Sequence, residues 1–362
     1  MDVMVEGRYA MKVRRLLKEH EISFDVSVAD VARVLAMVKV NTGHVLKPLH
    51  RSTHPPAQSM NWRDFHPLNV IYTFLHDLEN EFPSICTVNV IGKSVEGRDI
   101  KMLKISNSHA NNECVWLDGA IHAREWITTS VVTYIADHIA RNFGLLPECI
   151  TDRDWYFLPV LNPDGYAHTH VYDRMWRKNR ARYEGNCVGV DLNRNFDFGW
   201  DKLGLDTSMN GPFHPNYRGP VPFSEPETKA VRDVVLAIKN NVKVFISFHS
   251  YSQVISFPWC YTSEPCPHYV KLLEGAAAIS KAIYDTTGSM YKVGSFKDLM
   301  YSATGTSVDW CYGVLDVPYT YLIELRSKKY RFLLPKDEIL DNCREILNGV
   351  KALMEYIGMY VP

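Results

Sequence analysis

His122 and Glu125 stand three residues apart, just after the apolar stretch ECVWLDGAI and just before a segment with helical apolar spacing. At i and i+3 on a turn, an imidazole and a carboxylate can reach one cation. Such a pair is common by chance. A catalytic zinc site also needs a third protein ligand and a position left open for water. His249 ends the apolar run KVFISFHSYS, where a side chain can project from a sheet. Standing alone it would read as a hydrogen-bonded histidine at a strand end. Glu324 lies inside the apolar run PYTYLIELRS. A carboxylate buried there needs a partner, an activated water or neutralisation. Arg326 is read as facing away from it. Beside zinc, such a carboxylate is the general base expected to activate water. Arg177 in MWRKNR, with Asn193 and Arg194 in VDLNRNFDF, completes the set. Two fixed guanidiniums can bind one anion each: a substrate carboxylate, and the oxyanion that develops at a scissile carbonyl. Taken singly, either arginine would read as a surface salt bridge.

These residues fall at the ends of predicted strands. TVNVIGKS and RDIKMLKIS bracket a turn at EGR and read as a hairpin. ECVWLDGAI, DWYFLPVLN, KVFISFHSYS and PYTYLIELRS read as buried strands. REWITTSVVTYIADHIARNF, SEPETKAVRDVVLAIKNN and LDNCREILNGVKALMEYIG read as helices, the second opened by a Ser224/Glu227 capping box. The alternation implies an α/β fold with a mixed, mostly parallel central sheet flanked by helices on both faces. In such folds ligands sit outside the carboxyl ends of the strands.

Residues 41–59, NTGHVLKPLHRSTHPPAQS, lack apolar periodicity and read as a connecting segment. Lys39 just before it, and Lys47 and Arg51 within it, are the expected points of proteolytic nicking. Before it come a helix, an alternating strand (Ile22, Phe24, Val26, Val28) and a helix opened by Asp30. The chain therefore divides into residues 1–58 and 59–362.

Lys and Arg number 40 against 41 Asp and Glu in 362 residues, so no global field recruits nucleic acid or an acidic membrane. No apolar run approaches the ~20 residues of a membrane span. The opening MDVMVEGRYAMKVRRLLKEHE lacks the apolar core of a secretory signal. The eight cysteines contain no CxxC pair, which argues against a thiolate zinc finger.

DGAIHAREWI, LPVLNPDGY, WRKNR, GVDLNRNFD, YRGPVPFSEPET, FHSYSQ, YSATGTSVDW and IELRS occur in an order that resembles the A/B-type zinc metallocarboxypeptidases, the family of the pancreatic-type digestive enzymes. The resemblance runs from about Asn61 to Pro362. It implies a single zinc ion on His122, Glu125 and His249, with Glu324 as general base and later proton donor to the leaving amine. It implies oxyanion stabilisation by Arg177. Asn193, Arg194 and Tyr301, the last on a mobile loop, would hold the substrate's terminal carboxylate. Arg124, Ser250 and Tyr251 would line an outer subsite. The side-chain pocket would be closed by Val308, two places before the Trp of SVDW, with Phe296 and Cys260 beside it. Basic-specific members carry an acid at the Val308 position, so the pocket is most like that of carboxypeptidase A. The implied substrates are peptide or protein C-termini ending in an aliphatic or aromatic residue. A basic-residue specificity, or a non-catalytic peptide-binding relative, is the alternative.

LLKEHEISFDVSVADVARVL resembles the final part of that family's pro-domain, which implies a secreted, monomeric zymogen freed by an endoprotease. The earlier pro-domain and a signal peptide have no counterpart here, and the chain reads as truncated at its front. Cys187 matches a half-cystine of the family whose usual partner is missing from SMNGPFHPNYRGP, while Cys260 and Cys266 are near enough in sequence to pair.

Overall fold

The computed structural model describes residues 5–26, 59–183, 188–202 and 211–359. It divides into two compact units, Met1–Thr53 and His54–Pro362. In the first, α1 (Gly7–Glu19) forms as expected. Residues 22–26 form no strand, and Ile22 and Val26 are half exposed. The alternating pattern is present, but among the described residues no strand pairs with it, and a lone strand leaves its backbone groups to water. Val28, the helix expected from Asp30, Cys187 and almost all of the connecting segment lie outside the described residues.

The second unit is built on one sheet of eight strands in the order β1-β2-β4-β3-β5-β8-β6-β7. These are β1 (Cys86–Lys93), β2 (Asp99–Ile105), β3 (Glu113–Asp118), β4 (Arg153–Leu158), β5 (Val242–Ser250), β6 (Val254–Phe257), β7 (Lys292–Ser295) and β8 (Tyr319–Leu325). The hairpin β1–β2, and the pairs β2–β4 and β6–β8, are antiparallel. The central β4-β3-β5-β8 run is parallel, as is β6–β7. β8 is buried at every position and β5 at all but Lys243, as expected for strands covered on both faces.

Trp116 of β3 stacks between Tyr156 and Phe245, with ring centroids 6.5 and 6.0 Å away. Around it lies a core shared with the helices Pro226–Ala237 and Ser307–Leu315. The helices Trp126–Asn142, Tyr269–Thr287 and Ile339–Met359 cover the other face.

The expected capping box is not formed. The helix starts at Pro226, whose fixed φ suits the first helical position, and Glu225 stands before it without a side-chain cap. Glu227 is instead buried against the Val95 amide and the Asn179 side chain. Cys260 and Cys266 are free thiols, as are the other described cysteines. The Cys260 thiol faces Thr306 and Asp309, whereas that of Cys266 faces Tyr312, so the two point into different surroundings.

Candidate active site

Register brings the chemistry to one end of the sheet. His249 of β5 lies opposite Glu324 of β8, and Ser247 lies opposite Asp118 of β3. Beyond β3 the chain turns through Ala120, held in the left-handed region by a bond from its amide to Thr128 Oγ1. That turn delivers His122, and Glu125 follows as the last residue before the helix Trp126–Asn142.

The Nδ1 atoms of His122 and His249 face each other at 3.1 Å. The Glu125 carboxylate lies 3.0 Å from the first and 3.2 Å from the second. All three residues are buried. Burial, and then the Arg177 cation, push the His122 pKa down, which favours the neutral, ligating imidazole. Burial alone would raise the Glu125 carboxyl, but His122 and His249 reverse the shift and keep it ionised. Two imidazole nitrogens and a carboxylate oxygen that converge on one point suit a shared cation. Zinc bonds of about 2.0–2.1 Å set tetrahedral edges near ~3.3 Å, and the three donors are spaced on that scale. The donor set N, N, O fits catalytic zinc with a fourth position free.

The backs of the ligands are fixed. His122 Nε2 lies 3.0 Å from Asp191 Oδ1, which orients the ring and selects the tautomer. His249 Nε2 meets the Asn193 amide at 3.3 Å and Ser247 Oγ at 3.4 Å. Ser247 in turn donates to Asp118 at 2.7 Å. The Ser250 amide donates to Glu125 at 3.1 Å.

Asp191 also accepts from Arg177, from Nη2 at 2.8 Å and Nε at 3.1 Å. Burial would raise this carboxyl; Arg177 and His122 instead hold it well below the usual carboxylate range. Spacing and residue type do not single out Asp191 in the sequence. Its one sign was a carboxylate two residues before Asn193 at the end of an apolar stretch.

Glu324 is 8 % exposed, and among the described residues no hydrogen bond or ion pair engages its carboxylate. Burial and the negative Glu125 push its pKa well up, against the pull of Arg177, Arg124 and Arg194. Arg326 is committed elsewhere, to Glu338 at 2.7 Å and to the buried Glu345. Strand alternation is not the reason, because residues two apart share a face. β8 ends at Leu325, and Arg326 has already left the strand.

Arg194 donates to the Asn193 carbonyl at 2.7 Å and to the Tyr301 hydroxyl at 3.4 Å. Gly305, with φ +63°, lets this loop approach closely, because a Cβ there would run into the Arg194 carbonyl. Asn193 is turned inward, its Oδ1 accepting from the Ser307 amide at 2.9 Å. Tyr301 is 46 % exposed and packs edge-on against the buried Phe296. Phe296, Cys260 and Val308 belong to one buried apolar cluster. Arg124 lies over Phe332, which packs edge-on against Tyr251. The site thus combines a donor set for a divalent cation, an unengaged buried carboxylate and three nearby guanidiniums.

The family model described as zinc carboxypeptidase matches residues 71–349. Carboxypeptidase B of Astacus astacus is 38% identical over 301 residues, covering 82% of this chain and 98% of its own. Carboxypeptidase A1 of Rattus norvegicus is 35% identical over 361 residues, covering 98% of this chain and 84% of its own. The crystal structure of thrombin activatable fibrinolysis inhibitor superposes with a TM-score of 0.87 at 33% identity, over 99% of this chain and 88% of that one.

Proposed function

The chain belongs to the zinc carboxypeptidase family, and from that premise we propose that it removes the C-terminal residue from peptides, preferring aliphatic or aromatic side chains. The observation that carries this reading is the unengaged, buried Glu324 carboxylate across the strand pair from His249, beside the convergent His122, Glu125 and His249 donors. Zinc on those three residues supplies Lewis acidity, polarising the scissile carbonyl and making water acidic enough to attack. Glu324 takes a proton from the attacking water and returns it to the leaving amine. Its raised pKa suits both halves of that exchange. Arg177, held rigid by Asp191, donates to the oxyanion. Arg194 and Tyr301, with Asn193 beneath them, hold the substrate's carboxylate; Arg124, Ser250 and Tyr251 line the upstream side.

Burial of Val308 and Phe296 supports the apolar preference. Asp309, the one acid next to the pocket in sequence, is spent on structure: both its oxygens lie 3.0 Å from the Cys260 amide. Burial pushes its pKa up to about 7, against the pull of that amide. A lysine or arginine side chain in the pocket would be desolvated without a countercharge. With blocked dipeptides, kcat/KM for C-terminal Leu or Phe should exceed that for Lys or Arg by at least about 100-fold, since each ~1.4 kcal/mol is tenfold. Faster release of Lys or Arg would place the enzyme with the basic-specific members.

Residues 1–58 are read as belonging to an activation segment. Secretion as a zymogen and release by an endoprotease go with that reading, and a monomeric state is proposed alongside them. Among the described residues no helix is long and apolar enough to cross a membrane.

A further inference from the structure

The wall upstream of the proposed metal centre carries two neighbouring guanidiniums, those of Arg124 and Arg174. Arg124 lies 4.0 Å over the Phe332 ring. Arg174 lies 3.7 Å over Trp126 and donates to the Arg124 and Phe332 carbonyls, each at 2.7 Å. Arg331 lies 5.6 Å over Tyr251, and the exposed Lys328 and Lys329 stand on the same turn. Among the described residues no carboxylate comes within ion-pair distance of Arg124 or Arg174. The Nε atoms of both are buried without a hydrogen-bond partner. Arg174 is 6 % exposed, and burial, together with Arg124, brings its pKa down to about 9. The acid nearest in sequence, Asp173, is occupied by the Met175 amide at 2.9 Å. Two neighbouring guanidiniums without a carboxylate partner among the described residues, set in a half-buried aromatic wall, favour an anion near the more accessible Arg124.

We propose that this wall, formed by Arg124, Arg174, Tyr251 and Phe332, selects substrates carrying Asp or Glu upstream of the residue that is removed. The proposal rests on the carboxypeptidase reading and adds to it the substrate class. Neutral aromatic contacts hold the peptide backbone there, and the cations discriminate among its side chains.

The test uses the zinc-loaded full chain and three blocked tripeptides ending in Ala-Phe, with Glu, Gln or Lys in front. At low salt kcat/KM should be highest for Glu and at least about tenfold lower for Lys, the gap narrowing as salt screens it. The difference should lie mainly in KM. Arg124→Gln should shrink the gap to under about twofold, and Arg124→Lys should keep most of it, because charge rather than packing sets it. Equal kcat/KM for all three peptides in the unmodified protein would overturn the proposal. Turnover of none of them would instead contradict the exopeptidase reading. Their dissociation constants would then decide, and equal values would overturn the anionic preference as well.

Discussion

Glu324→Gln is expected to lower kcat by about 10³-fold or more while leaving the fold and the zinc content in place, since acid–base help alone is typically worth ~10²–10⁴. The reason lies in the surroundings of this residue. Glu324 is buried on β8, bonded to nothing among the described residues, and its pKa is raised by burial and by Glu125. Nothing structural therefore depends on its charge. The same substitution should raise the melting temperature of the metal-free protein at neutral pH. Above the unfolded carboxylate range, near pH ~4.3, the folded state retains a proton that the unfolded state has lost. Stability then falls as pH rises, and a residue that cannot titrate removes that slope. Differential scanning fluorimetry at pH 5 and pH 8 should show the gain at pH 8. An unchanged kcat would remove Glu324 from the mechanism.

Phenanthroline should abolish turnover, and added zinc should restore it. On the proposed reading, turnover needs the cation that His122, Glu125 and His249 could hold. Asp191→Asn should weaken zinc binding by about 10- to 100-fold, the usual cost of losing a partner that orients a ligating imidazole. It should also loosen Arg177, so that kcat falls even at saturating zinc. Equilibrium dialysis separates the two effects. Full turnover in chelator would contradict the assignment of the three ligands.

What could be read in the sequence was set by burial. β3, β5 and β8 stood out because their strands are covered on both faces and need apolar residues at nearly every position. β6 and β7 have four residues each, too few for a periodicity. The helix Ser307–Leu315, which carries Val308, is capped by Thr306 in a stretch that otherwise reads as loop. Spacing and strand-end position alone left His122, Glu125 and His249 open to ordinary readings, and the family resemblance of the surrounding motifs is what groups them. Asp191 was not legible, because its partners lie 69 and 14 residues away and only the fold joins them. The Ser224/Glu227 motif misled for a related reason: tertiary partners for Glu227 outcompeted the local cap.

The most direct test of the proposed activity is whether cleavage requires a free C-terminal carboxylate. Arg194 donates to the Tyr301 hydroxyl at 3.4 Å, and on the proposed reading this pair grips the chain end. Mass spectrometry of a zinc-dependent digest should show loss of the terminal Phe from a blocked peptide acid. The same peptide amidated at its C-terminus should be cut at least about 100-fold more slowly, because a charged partner of a buried arginine is lost. Cleavage of acid and amide at equal rates, or cuts within the peptide, would contradict the carboxypeptidase account.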